Sequence, residues 1–285
     1  MNIIIVIKGG LGNQMFQYAF GYLRSQQLKK KLYVLDLTSW DSFPRGFALK
    51  IFGVKPSFEN KMLLKISRFF VYLLELLHSR VPFLNKFYLQ DLTDEKLECS
   101  FADRVILLNG YWQRASYFSD YRNEIKRLYS FPLVPDEHAV LEFPLNKKHI
   151  AMHIRRGDYV SASADGGIHL VCNVDWYLRS LEFLKSKVTD AKIVIFTDDE
   201  LWVKDQFGML GDDVFVVPNN KAREPWIDLY YMSCCDHFIL SNSTFSWWAA
   251  FLGERSNSMV IVPKYWFKGV KTETVGICPP NWHLI

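Results

Sequence analysis

The sequence predicts an α/β protein made of two successive doubly wound, Rossmann-like units facing a central cleft. Three observations predict it. A short apolar run, a turn rich in small or polar residues and an amphipathic helix recur in that order in both halves, which is the pattern of strands and helices around a parallel sheet. A polar stretch at 136–148, punctuated nearby by Pro132, Pro135 and Pro144, separates the halves. Finally, 285 residues at 49% hydrophobic and 16% aromatic exceed one small core and suit two medium domains. The boundary is therefore placed at 148/149, giving domains 1–148 and 149–285.

In the first unit, residues 3–7 read as a buried strand, 8–13 as a Gly-rich turn, about 14–28 as a helix and 32–37 as a second strand. Residues 61–77, rich in Leu and Phe, read as an amphipathic helix facing a core. With Lys61, Lys65, Arg68 and Arg80 around it, the same helix could lie on a membrane surface. Lys65, Arg68 and Glu75 interrupt it well short of the roughly 18 apolar residues that a spanning helix needs.

In the second unit the strands fall at 149–155, 192–196, 213–217, 237–240 and 259–262, and the helices at 174–187, 224–233 and 246–252. Residues 265–285 are rich in Pro and aromatics and carry little signal.

The charge balance excludes several classes. A net charge of +4, from 34 basic and 30 acidic residues with no dense basic stripe, suits an anionic small ligand or an acidic membrane surface and not nucleic acid. The five cysteines are odd in number and none has Cys-x-x-Cys spacing, as expected in a reducing compartment. The N-terminal apolar run lacks a basic flank and a small-residue cleavage site, so a cytoplasmic placement is expected, peripheral at the inner membrane face if residues 61–80 touch lipid.

Four constellations could carry chemistry. The sharpest is Met152-His153-Ile154-Arg155-Arg156-Gly157-Asp158-Tyr159 at the end of an apolar strand, where α/β folds place ligand-binding groups. An arginine fork matches a diphosphate with paired, charge-assisted hydrogen bonds. One arginine can serve the ligand while the other anchors the loop; an Arg156–Asp158 pair without any ligand is the bland alternative. The second is Ser241-Asn242-Ser243-Thr244-Phe245-Ser246-Trp247-Trp248, whose four hydroxyls in six residues exceed the need of an ordinary helix cap and make an anion site with the helix amides. Its Asn242-Ser243-Thr244 fits a glycosylation sequon, discounted in a chain read as cytoplasmic.

The third is Lys8-Gly9-Gly10-Leu11-Gly12-Asn13-Gln14. It lacks the Gly-Lys-Ser/Thr of a P-loop, and Met15 stands where a dinucleotide fingerprint needs its third glycine, with Asp36 only weakly imitating the ribose-binding acid. A loop that closely approaches a ligand fits better, Asn13 and Gln14 offering amide contacts. The fourth, Thr197-Asp198-Asp199-Glu200, clusters acids but lacks the strict Asp-x-Asp spacing of metal-dependent sugar transferases, so arginine and helix amides are expected to replace a metal.

Taken together and in order, Gly9 to Tyr18, His153 to Tyr159, Phe196 to Asp199 and Ser241 to Ala249 resemble the motifs of the alpha-1,2-fucosyltransferases, a family represented in bacterial surface-glycan synthesis, over nearly the whole chain. The resemblance implies a GT-B fold, GDP-β-L-fucose as donor, inversion at the anomeric carbon, and no cofactor or metal. The acceptor it implies is a terminal β-galactoside, lipid-linked if the enzyme works at the inner membrane face, with the N-terminal unit on the acceptor side. Arg155, Asn13 and Asp158 become the catalytic candidates. The donor-binding candidates are His153 near guanine, Arg155 on the β-phosphate, Asp228 on the guanine amino edge, and Asp198, Ser241, Ser243, Thr244, Gly10 and Gly12 around them. Gln14 and His169 are acceptor candidates. Two rivals from other classes stand beside this: a non-catalytic nucleotide-sugar or glycan-binding protein on the same fold, and an NAD-dependent oxidoreductase suggested by Gly10-x-Gly12 and Asp36.

Overall fold

A run of β-branched residues loses side-chain freedom in a helix and packs well on a pleated surface, and Ile3 to Ile7 accordingly form the core of β1 (Asn2–Ile7). A computed structural model gives the structure of the protein and describes residues 2–40, 46–81, 84, 88–90, 105–133, 148–156, 172–218, 224–267 and 276–285. It divides into two compact units, Met1–Ser130 and Phe131–Ile285. The division thus falls ahead of the boundary read at 148/149, and residues 134–147 between the two positions lie outside the described residues.

In the first unit β1 leads to α1 (Leu11–Gln27), β2 (Lys31–Asp36), α2 (Lys61–Leu77), β3 (Tyr88–Gln90), β4 (Ile106–Asn109) and α3 (Arg122–Leu128). The sheet order is β2-β1-β4-β3 and every pairing is parallel. Ile3, Ile5, Val6 and Ile7 are buried, as strands covered on both faces require. α1 starts three residues earlier than expected, at Leu11. The reason is that Gly10 takes the extended conformation of an N-cap and its carbonyl accepts from Gln14 N at 3.0 Å, so Gly12 and Asn13 belong to the first helical turn. Gly9 just before it has φ +81°, and a Cβ there would stand 2.7 Å from Asn13 Nδ2.

The second unit runs β5 (Lys148–Ile154), α4 (Val174–Lys185), β6 (Ala191–Thr197), α5 (Glu200–Phe207), β7 (Val214–Val216), α6 (Pro225–Cys234), β8 (His237–Leu240), α7 (Thr244–Gly253), β9 (Val260–Val262) and β10 (His283–Leu284). Its six strands are ordered β10-β9-β8-β5-β6-β7, again all parallel. From β5 the chain winds outward through β6 and β7, then returns to lay β8 on the other side of β5. The winding therefore reverses between β5 and β8, and the crevice at their carboxyl ends is where doubly wound sheets bind ligands.

The expected strands and helices of this unit are present with ends displaced by one or two residues. Two elements were not expected, α5 and β10. The C-terminal stretch is structural: Ile285 N donates to Val262 O at 3.0 Å, and Ile285 O accepts from Lys264 N at 2.9 Å and from Trp176 Nε1 at 2.7 Å. Among the described residues no helix is long and apolar enough to cross a membrane.

α6 and α7 touch at Gly253, where an added Cβ would stand 2.2 Å from the Ser233 carbonyl oxygen, a backbone atom that cannot rotate away. Gly253→Ala should therefore lower unfolding stability by about 2–3 kcal/mol, the upper range of overpacking costs. Gly208→Ala, with nothing within 4 Å of the new Cβ, should be near neutral. Urea denaturation of both variants checks the contrast.

Candidate functional site

At the crevice, β5 and β8 stay in register until His153 meets Leu240. One residue later Ser241 N donates to His153 O at 3.3 Å, and His153 Nδ1 and Ser241 Oγ share a hydrogen bond of 2.8 Å. From α4, Tyr177 OH donates to the same His153 carbonyl at 3.2 Å. His153 and Ser241 are both buried. Burial, reinforced by the charge of Arg155, pulls the imidazole pKa down to about 3, so the ring is neutral at working pH.

Beyond Ile154 the strand ends, and two consecutive guanidinium groups meet two consecutive carboxylates from the end of β6. Arg155 Nη1 lies 2.9 Å from Asp198 Oδ2, while Asp198 Oδ1 accepts from Arg156 N at 2.8 Å. Arg156 Nε donates to Asp199 Oδ2 at 3.2 Å, and its guanidinium lies 3.8 Å from the centre of the Trp202 ring. Asp199 Oδ1 also accepts from Trp202 N at 3.2 Å, which makes it the N-cap of α5. Arg156 thus takes Asp199 and Trp202 as partners, as Arg155 takes Asp198. The Arg155 side chain is 23% exposed and that of Arg156 20%, so solvent reaches both guanidinium groups, and Asp198 orients the first. A guanidinium held in one orientation is suited to paired hydrogen bonds with an anion.

The same contacts use the acids. Asp198 and Asp199 direct oxygens at arginines, and among the described residues no three His, Cys, Asp or Glu side chains gather where they could hold a metal ion.

Ser243 occupies the N-cap position of α7, but its hydroxyl makes no cap hydrogen bond. Ser241 shares its bond with His153, and Ser246 Oγ donates to Ser243 O at 3.2 Å. Asn242 is 2% exposed and its Nδ2 donates to Trp266 O at 2.9 Å, so the sequon cannot carry a glycan in the folded chain. Asp228 stands in the first turn of α6, half-buried. Asp158 and His169 lie outside the described residues.

The remaining candidates are in the first unit, where the winding reverses between β1 and β4. Asn13 Oδ1 accepts from Gln113 Nε2 at 3.1 Å. Gln14 is fully buried; its Nε2 donates to Gly9 O at 2.8 Å and Gly46 O at 2.9 Å, and its Oε1 accepts from Ala48 N at 2.8 Å. Those bonds engage both amide hydrogens and the carbonyl, so the side chain braces the Gly-rich turn against residues 46–48. Asp36 Oδ1 accepts from Thr38 N at 2.9 Å and Thr38 Oγ1 at 2.8 Å, closing a local turn in place of binding a ribose.

The structure thus pairs His153 with Ser241 and Arg155 with Asp198 at the ends of neighbouring strands, and sets Ser243 and Thr244 at the start of α7. Sequence reasoning missed Tyr177, Trp202 and the capping role of Asp199. For Asp199 a signal existed, since an Asp just before a helical stretch is a preferred N-cap.

Comparison with known proteins bears on what such a site does. The model of the family described as Glycosyl transferase family 11 matches residues 53–285. Alpha-1,2-colitosyltransferase of Escherichia coli is 28% identical over 291 residues, covering 99% of this chain and 98% of that protein. O-antigen biosynthesis glycosyltransferase WbnK of Escherichia coli is 30% identical over 289 residues, covering 92% and 94%. Among solved structures, an Arabidopsis thaliana FUT1 variant in complex with GDP superposes with a TM-score of 0.56 at 14% identity, covering 92% of this chain and 70% of that one. At that identity the likeness shows the fold alone, the GT-B class with two parallel α/β units.

Burial of neutral His153 has a consequence for stability. In the unfolded chain the ring titrates near 6.5 and in the fold at about 3. Between those values the unfolded chain binds more protons, so this group's contribution is present above pH 6.5 and is lost as pH falls toward about 3. His153→Gln should flatten the decline of the urea midpoint across that window; an unchanged slope would contradict a buried neutral imidazole.

Proposed function

Because the chain belongs to glycosyl transferase family 11, we propose that it moves L-fucose from GDP-β-L-fucose to the 2-hydroxyl of a terminal β-galactoside in a surface-glycan precursor. The observation that carries this proposal is the Arg155–Asp198 pair, 2.9 Å apart at the carboxyl end of β5. It supplies a fixed, permanently charged fork where the sheet reverses its winding. Support for the linkage and the glycan comes from the four motifs in order and from the names of the two Escherichia coli relatives.

In the proposed reaction the bond from the fucose anomeric carbon to the β-phosphate oxygen breaks ahead of attack, leaving oxocarbenium character on the sugar. The acceptor hydroxyl then adds to the opposite face, giving inversion, and its proton is released to water as GDP departs. Negative charge grows on the departing diphosphate. Arg155, Ser243, Thr244 and the amide end of α7 would stabilise that charge more than they stabilise bound donor, which is what accelerates a reaction. Asp198 would act as a positioning residue, holding the Arg155 fork. Neutral His153 with Ser241 would sit beside guanine, and Asp228 would meet its amino edge. Gly10 and Gly12 would allow close approach, and Asn13, held by Gln113, would orient the acceptor hydroxyl. Asp158 shares the arginine motif and stays a catalytic candidate on that ground. No metal is required in this mechanism, since the acids best placed to hold one are engaged by Arg155 and Arg156.

A second donor has a specific observation behind it. The 28% identity to an alpha-1,2-colitosyltransferase favours GDP-colitose, whose sugar is L-fucose without its 3-hydroxyl. Incubation of the full chain with each donor and a panel of β-galactosides in EDTA, with NMR of the products, separates the cases. An alpha-1,2-fucosylated galactoside is the expected product. Transfer of colitose alone would reassign the donor, and transfer restored only by manganese would overturn the arginine-for-metal mechanism. Tight GDP binding without turnover of either donor would favour a nucleotide-sugar-binding protein. Arg155→Ala should reduce turnover by roughly 100-fold or more, the scale of losing a preorganised charge stabiliser. Asp198→Asn should fall between wild type and Arg155→Ala, and steady-state rates on the best acceptor check both.

A further inference from the structure

Helix α2 turns apolar surface the wrong way. On a helix of 3.6 residues per turn, Leu64, Val71 and Leu74 lie along one face. Val71 and Leu74 are buried there against Val6, Leu35, Tyr88 and Leu107. An amphipathic helix would then present polar groups to solvent. Instead, Met62, Ile66, Phe69, Phe70 and Leu76 are 71%, 55%, 67%, 52% and 51% exposed. A contiguous exposed apolar face of this kind marks an interaction site.

Among the helix's own residues, the flank of that face has one sign. Lys61, Lys65 and Arg68, at i, i+4 and i+7, form a single line along the helix. The helix's only acid, Glu75, is engaged on the inner side, where its Oε1 accepts from Asn109 Nδ2 at 2.7 Å and lies 3.6 Å from Lys8 Nζ. Across residues 46–81 there are six lysines and arginines against two acids. The helix is also preformed, because Asn60 Oδ1 caps it by accepting from Met62 N at 2.9 Å and Leu63 N at 3.2 Å.

We propose that α2 docks the protein on an anionic lipid surface, with Met62, Ile66, Phe69, Phe70 and Leu76 in the headgroup–acyl boundary and Lys61, Lys65 and Arg68 against the headgroups. Apolar burial and basic attraction are the two signals that together hold an interfacial helix on a bilayer. At 17 residues, about 26 Å long, and interrupted by charge, it lies on the membrane and does not cross it. A second copy of the chain fits the face less well. A twofold contact centred on α2 brings the basic lines of two identical helices together, and no free acid on the helix answers them. The inference rests on α2 alone and is independent of the proposed donor and acceptor.

Flotation of the full chain with vesicles tests it. The chain should float with phosphatidylcholine–phosphatidylglycerol vesicles and far less with phosphatidylcholine alone. Phe69→Ser/Phe70→Ser should abolish flotation. Lys61→Gln/Lys65→Gln/Arg68→Gln should weaken binding on the order of a hundredfold, from three juxtamembrane charges. Both variants alter exposed positions and should keep the wild-type thermal unfolding curve and GDP affinity. Absence of flotation with the anionic vesicles, equal flotation of wild type and variants, or equal binding to phosphatidylcholine alone would overturn the proposal. So would a dimer in sedimentation velocity that Phe69→Ser/Phe70→Ser dissolves without any vesicle binding; that result would give the face to a second copy.

Discussion

Two guanidinium groups on consecutive residues repel each other, and with side chains 23% and 20% exposed that repulsion is only partly screened by water. Asp198 resolves the conflict with its two oxygens, one on the Arg155 side chain and one on the Arg156 backbone. The second bond also closes the β5–β6 pairing just past Ile154 and Thr197, so the carboxylate ends the strand and sets the side chain that follows it. Asp199 and Trp202 then take up the other arginine and start α5 in the same stroke. The charge geometry and the local backbone are therefore one arrangement, and neither survives without the acids of β6.

The two units share a reversal of winding between central parallel strands but differ in strand order and in electrostatics. Each places its reversal of winding at the carboxyl ends of two central strands. In the first, neutral amides do the joining: Gln14 braces the Gly-rich turn, Gln17 Oε1 accepts from Lys8 N at 2.9 Å, and Gln113 meets Asn13. In the second, the joining groups are ionic and lie beside a helix N-terminus. The second unit thus joins its strand ends with paired charges, Arg155 with Asp198 and Arg156 with Asp199, whereas the first joins them with neutral amides.

Much of this was legible in the sequence because apolar runs bounded by turns determine a parallel sheet almost directly. The arginine motif and the Ser-rich turn were legible for a related reason: their residue types exceed what local structure needs. The misreadings share a cause as well. Gln14 and Asp36 carry ligand-like chemistry in a turn, and only three-dimensional neighbours such as Gly46, Ala48 and Thr38 show that the fold itself consumes it. β10, two residues long, has no period to detect, and it exists because β9 offers it an edge. The face of α2 was left open between a core and a membrane surface, since apolar residues all around a helix do not reveal which of them meet a core. In α1, a glycine read as loop material was an N-cap, because glycine's backbone freedom serves both purposes.

The hydrogen bond between His153 and Ser241 joins residues 88 positions apart. Closing so long a separation is entropically costly and slow compared with forming any helix nearby. β5 can pair with β6 early in folding, but the crevice exists only after β8 has travelled back to the opposite side. A ligand bound at that crevice would therefore require β8 to be in place beside β5. By mass action such a ligand would stabilise species in which β5 and β8 are paired over those in which they are not, and so would tie the last long-range step of winding to occupancy of the crevice.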